Sequence, residues 1–369
     1  MERRDFDVIV AGGGPSGAIA ALILVRAGVR VCLIEASMYE RPRVGESLPP
    51  AARPLLCELS LWESFERLES VSSYGNESAW GSADAEFNSF VFNPHGYGWH
   101  LDRCQFDAQL ASEAEAAGAV LMQGHKLISC TFHSEGSGQL VLRDKSGEIT
   151  TLTTRAIIDA TGRNGFLARQ LGAVRKLYDR LIGIAVQYQC DRSDGGYTLI
   201  EATEHGWWYS ALLPNQQMIA MFMTDTDICR KYQYAKFDDW KQNLAKTEHT
   251  QARLAGCTQL WGPVVFPAFS HRLQRLDWHN CWLACGDAAM GVDPLSSSGI
   301  MRALQGGEVA GYAMLRWLNG DSQLMQRYEH WIDAEFYDYM KSRQAYYKME
   351  KRWLDSLFWL RRSSWNAIN

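Results

Sequence analysis

The first 35 residues alternate short apolar runs with a helical periodicity, in the order that a βαβ unit requires. Residues 7–11 have the composition of a buried parallel strand, and residues 30–35 repeat that composition. Between them lie the glycine-rich turn at residues 12–17 and a helical apolar pattern over residues 18–27. The pattern predicts strand, tight turn, helix and second strand, which open a Rossmann-like α/β domain.

Later apolar segments return to the same domain. Residues 106–117 show helical spacing, residues 155–159 and 282–285 have the composition of buried strands, and a helix starts at Gly299. Because these segments are far apart in the sequence, we expect them to assemble one discontinuous domain around a single sheet.

A different pattern, rich in β-branched and aromatic residues, separates these segments. It covers residues 182–265, with the clearest strands at 183–188 and 218–223, and it recurs at 80–99. It predicts an inserted, mostly antiparallel β-sheet domain for the substrate. The expected division is 1–79, 98–180 and 270–322 for the first domain, 80–97 and 181–269 for the inserted sheet, and 323–369 for a C-terminal helical segment.

Composition narrows the class of protein. The 369 residues are 47% hydrophobic, which is enough for two packed domains, and the net charge of -5 argues against nucleic acid as a partner. No stretch approaches the roughly 20 apolar residues of a transmembrane helix, so no membrane partner is expected. Nine cysteines without a CxxC pair argue against a complete disulfide framework and favour the cytoplasm. The nine histidines show no metal-ligand spacing, and no metal site is predicted.

Gly12, Gly14 and Gly17 have the spacing of a dinucleotide-binding fingerprint. In such a turn the first glycine permits the bend, the second lets a pyrophosphate approach the backbone, and the third lets helix and strand pack closely. The helix N-terminus stabilises phosphate charge. Glu35, 18 residues after Gly17, matches the acid that binds a ribose hydroxyl. The predicted contacts are Gly12, Gly14, Pro15, Ser16, Gly17, Glu35 and Ala36.

The fingerprint alone does not separate NAD from FAD, but two later motifs do. CGDAA at residues 285–289 and DPLSSSGI at residues 293–300 resemble the second FAD motif of the aromatic-hydroxylase and tryptophan-halogenase superfamily. The resemblance implies FAD as the cofactor and a ribityl hydroxyl bound by Asp287. It also implies that the turn from Ser298 to Ile300 points helix N–H groups at the flavin pyrimidine edge. The implied fold is an FAD-binding domain of the glutathione-reductase or hydroxylase type.

Three further stretches resemble the same superfamily: RVGESLPP at residues 43–50, HLDR at 100–103 and IDATGRNG at 158–165. The resemblance places the first stretch, residues 43–50, beside the flavin, and we call it the flavin-side loop. It places the other two near the FAD phosphates. The implied cofactor contacts are Arg43, Glu46, Ser47, Arg103, Asp159, Ala160, Thr161, Gly162, Gly286, Asp287, Pro294, Ser298, Gly299 and Ile300. No second glycine fingerprint marks a nicotinamide site, so the electron donor stays open between NAD(P)H and a flavin reductase.

Two features argue against halogenation. Tryptophan halogenases carry a catalytic lysine after the flavin-side loop, whereas the first lysine here is Lys126, and their WxWxIP signature is replaced by GWWYSALLP at residues 206–214. That segment and the aromatic, basic C-terminal helices resemble the flavoproteins that mature the tryptophylquinone cofactor of glycine and lysine oxidases. The resemblance implies a monooxygenase that adds oxygen to a tryptophan in the precursor protein of a quinone-dependent oxidase. The expected catalytic residues are Asp293 and Pro294 beside the flavin, and Trp208 and Tyr209 near the substrate.

Two other functions stay open at this point. A hydroxylase, halogenase or reductase of a small aromatic or apolar metabolite would use the same fold. An assembly factor would instead hold FAD structurally and chaperone a partner oxidase. The C-terminal helices are either a cover for the first domain or a docking surface, since aromatic and arginine side chains favour interfaces.

Overall fold

The computed structural model describes residues 5–133, 137–191, 196–274, 281–321 and 323–363. In chain order, the strands are β1 (Phe6–Ala11), β2 (Val31–Glu35), β3 (Ser47–Leu48), β4 (Ser70–Ser73), β5 (Gly75–Ala79), β6 (Glu86–Ser89), β7 (Gly98–Leu101), β8 (Val120–Gln123), β9 (Lys126–His133), β10 (Ser137–Arg143), β11 (Ile149–Asp159), β12 (Arg175–Leu177), β13 (Leu181–Gln189), β14 (Tyr197–Thr203), β15 (Gly206–Leu213), β16 (Gln217–Asp225), β17 (Thr258–Pro267), β18 (His271–Leu273), β19 (Trp282–Ala284) and β20 (Met290–Gly291). The α-helices are α1 (Pro15–Arg26), α2 (Ala52–Glu58), α3 (Trp62–Glu66), α4 (Arg103–Ala116), α5 (Phe166–Gln170), α6 (Thr226–Tyr232), α7 (Phe237–Leu244), α8 (His249–Arg253), α9 (Gly299–Leu318), α10 (Gln323–Met349) and α11 (Leu357–Ser363).

The first sheet has the order β8-β2-β1-β11-β10-β9, and β19 pairs with β11. Strand β1 lies between the parallel neighbours β2 and β11, and residues 8–11 are completely buried, which explains their uninterrupted apolar character. Segments that are distant in the sequence share this sheet, because β1 and β19 both pair with β11. Strands β9 and β10 extend the sheet in antiparallel fashion, which the apolar pattern did not predict. The predicted fold class is confirmed.

The second sheet has the order β17-β13-β16-β15-β14-β5-β6 and is antiparallel except where β5 runs parallel to β14. Its central strands include the predicted segments at 183–188 and 218–223. The aromatic segment at 80–99 is divided: β6 joins this sheet, whereas β7 pairs with β3 and β4 in a small separate sheet. Strand β5 also belongs to the second sheet, although it precedes the predicted boundary at residue 80.

The C-terminal helices pack against both sheets. Helix α10 buries Tyr328, Phe336 and Tyr339 in the core of the first sheet, while Tyr347 and, in α11, Phe358 belong to the core of the second. These contacts support the interpretation that the helices cover the fold. The last residues of the predicted helical segment, 364–369, lie outside the described residues.

A disulfide joins Cys190, just after β13, to Cys257, just before β17. The cysteine spacing did not predict this pair. No α-helix in the described ranges is long and apolar enough to cross a membrane.

Candidate functional site

A cavity of about 1090 Å³ lies between the two sheets. One wall consists of the turn after β1, the end of β2, the loop at residues 41–47 and the N-terminus of α9. The other wall is the inner face of β13, β15, β16 and β17. Ligands of open α/β sheets bind outside the carboxyl ends of the strands, and the cavity lies at that edge of the first sheet.

The predicted site residues divide into those that line the cavity and those that support it. The lining contains Gly12, Gly14, Pro15, Ser16, Glu35, Ala36, Arg43, Glu46, Ser47, Arg103, Ala160, Thr161, Gly162, Tyr209, Asp287, Pro294, Gly299 and Ile300. Placed behind the lining are Gly17, Asp159, Trp208, Gly286, Asp293 and Ser298.

The glycine turn has the geometry that a phosphate cradle needs. Gly12 has φ +113°, and a Cβ on Gly17 would overlap the carbonyl oxygen of Gly12, so helix and strand meet at backbone distance. Gly14 has no atom within 4 Å of its ideal Cβ position, so its free side faces open space in the cavity. No described side chain caps the N-terminus of α1. A pyrophosphate would satisfy these free helix N–H groups, and the cradle therefore fits a dinucleotide.

Glu35 anchors the end of β2 through both carboxylate oxygens. Its Oε2 accepts from the Gly13 N–H at 2.9 Å, and its Oε1 accepts from Arg43 Nη2 at 2.9 Å and from the Ser37 hydroxyl at 2.6 Å. The carboxylate therefore connects the glycine turn to the loop at residues 41–47. Glu35 lines the cavity, and its role as the ribose-binding acid stays a prediction. The sequence missed the role of Arg43 as its ionic partner.

Arg103 does not extend freely towards a phosphate. Its guanidinium forms an ion pair with Asp107 at 3.0 Å and donates to the carbonyl oxygens of Val44 and Gly45 at 3.1 and 2.9 Å. Arg43 Nη1 also donates to Asp107, at 2.7 Å. Asp107 thus holds two arginines that fix the flavin-side loop. Its spacing of four residues after Arg103 on one helix was the available sequence signal.

Asp159 supports the site from behind rather than contacting a ligand. Its Oδ1 accepts from the Thr161 N–H at 3.0 Å and hydroxyl at 2.6 Å, and its Oδ2 accepts from the Ala168 N–H at 2.9 Å. The side chain is completely buried. These bonds fix the turn that presents Ala160 and Gly162 to the cavity.

Asp287 extends into the cavity from the turn after β19. Its carboxylate forms an ion pair with Arg163 Nε at 3.1 Å, and its backbone carbonyl hydrogen-bonds to His271 Nε2 at 2.9 Å. Burial, followed by the charge of Arg163, lowers the pKa of His271 to about 4, so His271 is neutral near pH 7. The neutral ring donates from Nε2 and holds the turn in place. The sequence predicted Asp287 but missed both of these supporting residues.

The N-terminus of α9 supplies a second set of helix N–H groups. Gly299 and Ile300, two of the predicted cofactor contacts, line the cavity. Ser298 is the residue that needs correction, because its hydroxyl is bonded to Ser296 at 2.8 Å and to Arg302 Nε at 3.1 Å. Ser298 therefore shapes the turn.

Asp293 was predicted beside the flavin, but its side chain is completely buried behind the cavity wall. Its Oδ2 accepts from the Tyr347 hydroxyl at 2.7 Å and pairs with Arg343 Nε at 3.3 Å. Its backbone N–H donates to the Tyr339 hydroxyl at 2.7 Å. Asp293 therefore fastens α10 to the turn, and its neighbour Pro294 is the one that lines the cavity.

Tyr209 and Trp208 face opposite sides of β15, because successive side chains alternate along a strand. Tyr209 lines the cavity, and its hydroxyl shares a hydrogen bond of 2.8 Å with the Ser47 hydroxyl. Trp208 is fully buried on the other face, with ring centroids 5.0 Å from Phe222 and 4.8 Å from Trp240. The substrate-side placement predicted for Trp208 is therefore corrected to a core position.

Trp208→Phe tests this correction. The smaller ring is expected to lower the free energy of unfolding by at most about 2 kcal/mol, since it leaves a void but also removes an Nε1–H for which the described part of the chain offers no acceptor. FAD content and turnover should equal those of the wild type below the lowered melting temperature. Loss of turnover with an unchanged melting temperature would restore Trp208 to the substrate site.

The second wall of the cavity is apolar, and the sequence identified only Tyr209 in it. Met221, Met223, Val264 and Phe266 contribute the remaining surface, together with Ala185, Trp261 and Pro267. In β16 the lining residues alternate with residues of the opposite face, but both faces are buried and apolar. Hydrophobic periodicity consequently carried no signal for which face meets the ligand.

The fold and the site define a dinucleotide-binding flavoprotein whose cavity has an apolar second wall. The chain matches the model of the tryptophan halogenase family over residues 7–87 and 76–368, and it belongs to that family. LodB of Marinomonas mediterranea, named as an FAD-dependent oxidoreductase, is 30% identical over 371 residues that span 99% of each chain. This protein is therefore an FAD-dependent oxidoreductase, which confirms the predicted cofactor and superfamily.

Two solved structures show the same fold. The myxobacterial chondrochloren halogenase CndH superposes with a TM-score of 0.89 at 23% identity, over 98% of this chain and 86% of that one. QhpG, a peptidyl tryptophan dihydroxylase essential for tryptophylquinone cofactor biogenesis, superposes with a TM-score of 0.79 at 19% identity, over 99% and 80%. One fold therefore accommodates both halogenation and hydroxylation, and the choice between them depends on the site.

Proposed function

We propose that this protein is an FAD-dependent monooxygenase that hydroxylates a tryptophan of a precursor protein during tryptophylquinone cofactor biosynthesis. The observation that carries the proposal is the composition of the second-sheet wall, where the described lining residues are apolar or aromatic and include no lysine. The nearest lysine in the sequence to the flavin-side loop, Lys126, lines the cavity from β9 of the first sheet instead. The wall fits an indole ring. The fold shared with QhpG supports the same choice of chemistry.

The chain would use its own residues to bind, orient and enclose the reactants. The uncapped N-terminus of α1 and the open side of Gly14 would hold the FAD pyrophosphate, and Asp287 would bind the ribityl chain. Reduced FAD supplies two electrons for the activation of O2. Met221, Met223 and the other apolar residues of the wall exclude water from the substrate.

A precursor protein of a quinone-dependent oxidase is the proposed partner. The electron donor is either NAD(P)H or a flavin reductase. A cytoplasmic location is also part of the proposal. The Cys190–Cys257 disulfide is the observation against this location, because disulfides are rare in reducing compartments. The second candidate function is hydroxylation, halogenation or reduction of a small aromatic or apolar metabolite. The structural similarity to the halogenase CndH favours halogenation among these.

Parallel assays with two substrates separate the two candidate functions. FAD-loaded protein, a reductant, O2 and chloride are mixed either with an unmodified precursor protein or with free tryptophan, and the products are analysed by mass spectrometry. We expect oxygen atoms to be added to a tryptophan of the precursor, with no chlorinated product. A chlorinated or oxygenated product from free tryptophan, with an unmodified precursor, would establish the second candidate.

Tyr209→Phe should lower turnover without loss of FAD, because it removes the hydrogen bond that joins the second sheet to Ser47 in the flavin-side loop. We expect a decrease in kcat of about tenfold, which corresponds to roughly 1.4 kcal/mol for one positioning hydrogen bond. The matched control is Tyr234→Phe, since the buried Tyr234 hydroxyl has no partner among the described residues and lies outside the cavity lining. Equal kcat values for the two variants would show that the Tyr209 hydroxyl has no positioning role in turnover.

A further inference from the structure

Glu46 differs from the other carboxylates around the cavity. Its side chain is 3% exposed and lines the cavity, and no described donor lies within hydrogen-bond distance of Oε2. Glu35 and Asp159 are also buried, but both oxygens of each accept hydrogen bonds. An unpartnered buried carboxyl oxygen lowers stability, so its presence at the ligand cavity calls for a function.

The backbone around Glu46 is held in a fixed position. The Glu46 carbonyl accepts from the Leu101 N–H at 3.0 Å, and the carbonyls of Val44 and Gly45 accept from Arg103. Ser47, the next residue, pairs with His100 in the small sheet and is bonded to Tyr209. The carboxyl group is therefore presented to the cavity by a braced loop, at the junction between the flavin-side loop and the substrate wall.

Few charged or titratable groups among the described residues lie near the Glu46 carboxylate. Arg103 of α4 attracts the carboxylate. Burial, followed by the charge of Glu46, raises the pKa of Tyr209 on β15. His100 of β7 is neutral, since burial and then the charge of Arg253 lower its pKa to about 4. Burial raises the pKa of Glu46 to about 7, against the opposing effects of nearby backbone N–H groups and Arg103. The group therefore changes protonation in the range where general acid–base catalysis is most effective.

We propose that Glu46 is the catalytic base that takes the ring proton from the substrate, an inference that rests on the proposed function. When oxygen is added to an indole carbon, that carbon carries both the new C–O bond and its original hydrogen. The C–H bond then breaks, its electron pair restores the aromatic ring, and the proton passes to Glu46 Oε2 and from there to solvent. The O–O bond breaks, the second oxygen atom leaves as water, and the electrons come from reduced FAD.

Glu46→Gln tests the proton transfer, because it keeps the shape of the side chain and removes the base. With the precursor protein as substrate, kcat should fall about hundredfold with little change in KM, as is typical for loss of a general base. The inflection near pH 7 in the wild-type kcat profile should disappear, whereas Glu46→Asp should retain it. The control Glu308→Gln removes a partly buried acid of α9 outside the cavity lining and should preserve the profile.

The pH dependence of stability gives a readout that needs no substrate. Because the folded-state pKa of Glu46 is raised from 4.5 to about 7, the wild type should lose stability relative to Glu46→Gln as pH rises through this range. The difference in melting temperature between the two proteins should be small below about pH 4.5 and constant above about pH 7. A parallel pH dependence of the two proteins would show that Glu46 does not titrate there and would overturn the assignment.

The outcomes of these experiments distinguish a failure of the role proposed for Glu46 from a failure of the proposed function. A Glu46→Gln protein that retains wild-type kcat and its pH inflection would refute the role of Glu46 and leave the proposed function intact. A wild-type protein that binds FAD but oxidises no tryptophan in the precursor would refute the proposed function and, with it, the proton transfer to Glu46.

Discussion

Gly14→Ala is expected to yield a folded protein that no longer retains FAD. The backbone of Gly14 has φ -73°, which alanine adopts readily, and no protein atom lies within 4 Å of the new methyl group. The methyl group would instead occupy the side of the turn that the pyrophosphate must approach. We expect the affinity for FAD to fall at least about hundredfold, or roughly 3 kcal/mol, as measured by titration of the apoprotein with FAD.

Two other glycines serve as controls for this variant. Gly172→Ala introduces a methyl group at φ +75° outside the cavity lining, so it should lower stability slightly and leave FAD binding unchanged. Gly17→Ala should prevent folding, because its Cβ would overlap the Gly12 carbonyl oxygen. A Gly14→Ala protein with wild-type FAD affinity would place the pyrophosphate elsewhere. A Gly14→Ala apoprotein that still supported maturation of a partner oxidase would favour the assembly-factor function.

Asp293→Ala is expected to lower the free energy of unfolding by about 3–5 kcal/mol, the usual cost of removing one partner of a buried ion pair. The change would leave Tyr347 without its acceptor and Arg343 with Asp179 as its remaining ionic partner, at 3.0 Å. Because these contacts fasten α10 to the cavity wall, FAD should be lost together with the fold. Chemical denaturation monitored by tryptophan fluorescence and by flavin absorbance should give coincident transitions.

Asp287→Asn is the matched control, since the Asp287 side chain is 39% exposed and pairs with Arg163 at the cavity surface. It should reduce FAD affinity with little change in the unfolding midpoint. If Asp293→Ala kept the wild-type midpoint but lost turnover, the catalytic role that the motif implied for Asp293 would be correct after all.

The features that the sequence predicted correctly have local signals. The strand before Gly12, the helix after it and the acid at Glu35 are contiguous, and each obeys backbone rules that neighbouring residues do not override. The same holds for the turn at Asp287 and the start of α9 at Gly299. These segments carry the cofactor prediction.

The features that the sequence did not predict depend on contacts with distant residues. The partners that withdraw Asp293 from the cavity lie 50 and 54 residues later, in α10. Trp208 and Tyr209 were equivalent in the sequence because β15 is buried on both faces, so only packing decides which one meets the ligand. Strand β5, GNESA, carries no apolar alternation and forms only because β14 and β6 pair with it.

The most direct measurement is the fate of ¹⁸O₂ in a single turnover of the FAD-loaded protein. The protein is reduced anaerobically, mixed with an unmodified precursor of a tryptophylquinone oxidase, and exposed to labelled oxygen before peptide mass spectrometry. We expect label in a tryptophan side chain of the precursor, in amounts set by the reduced FAD supplied. An unlabelled precursor, with all of the flavin reoxidised, would contradict the proposed oxygenase function.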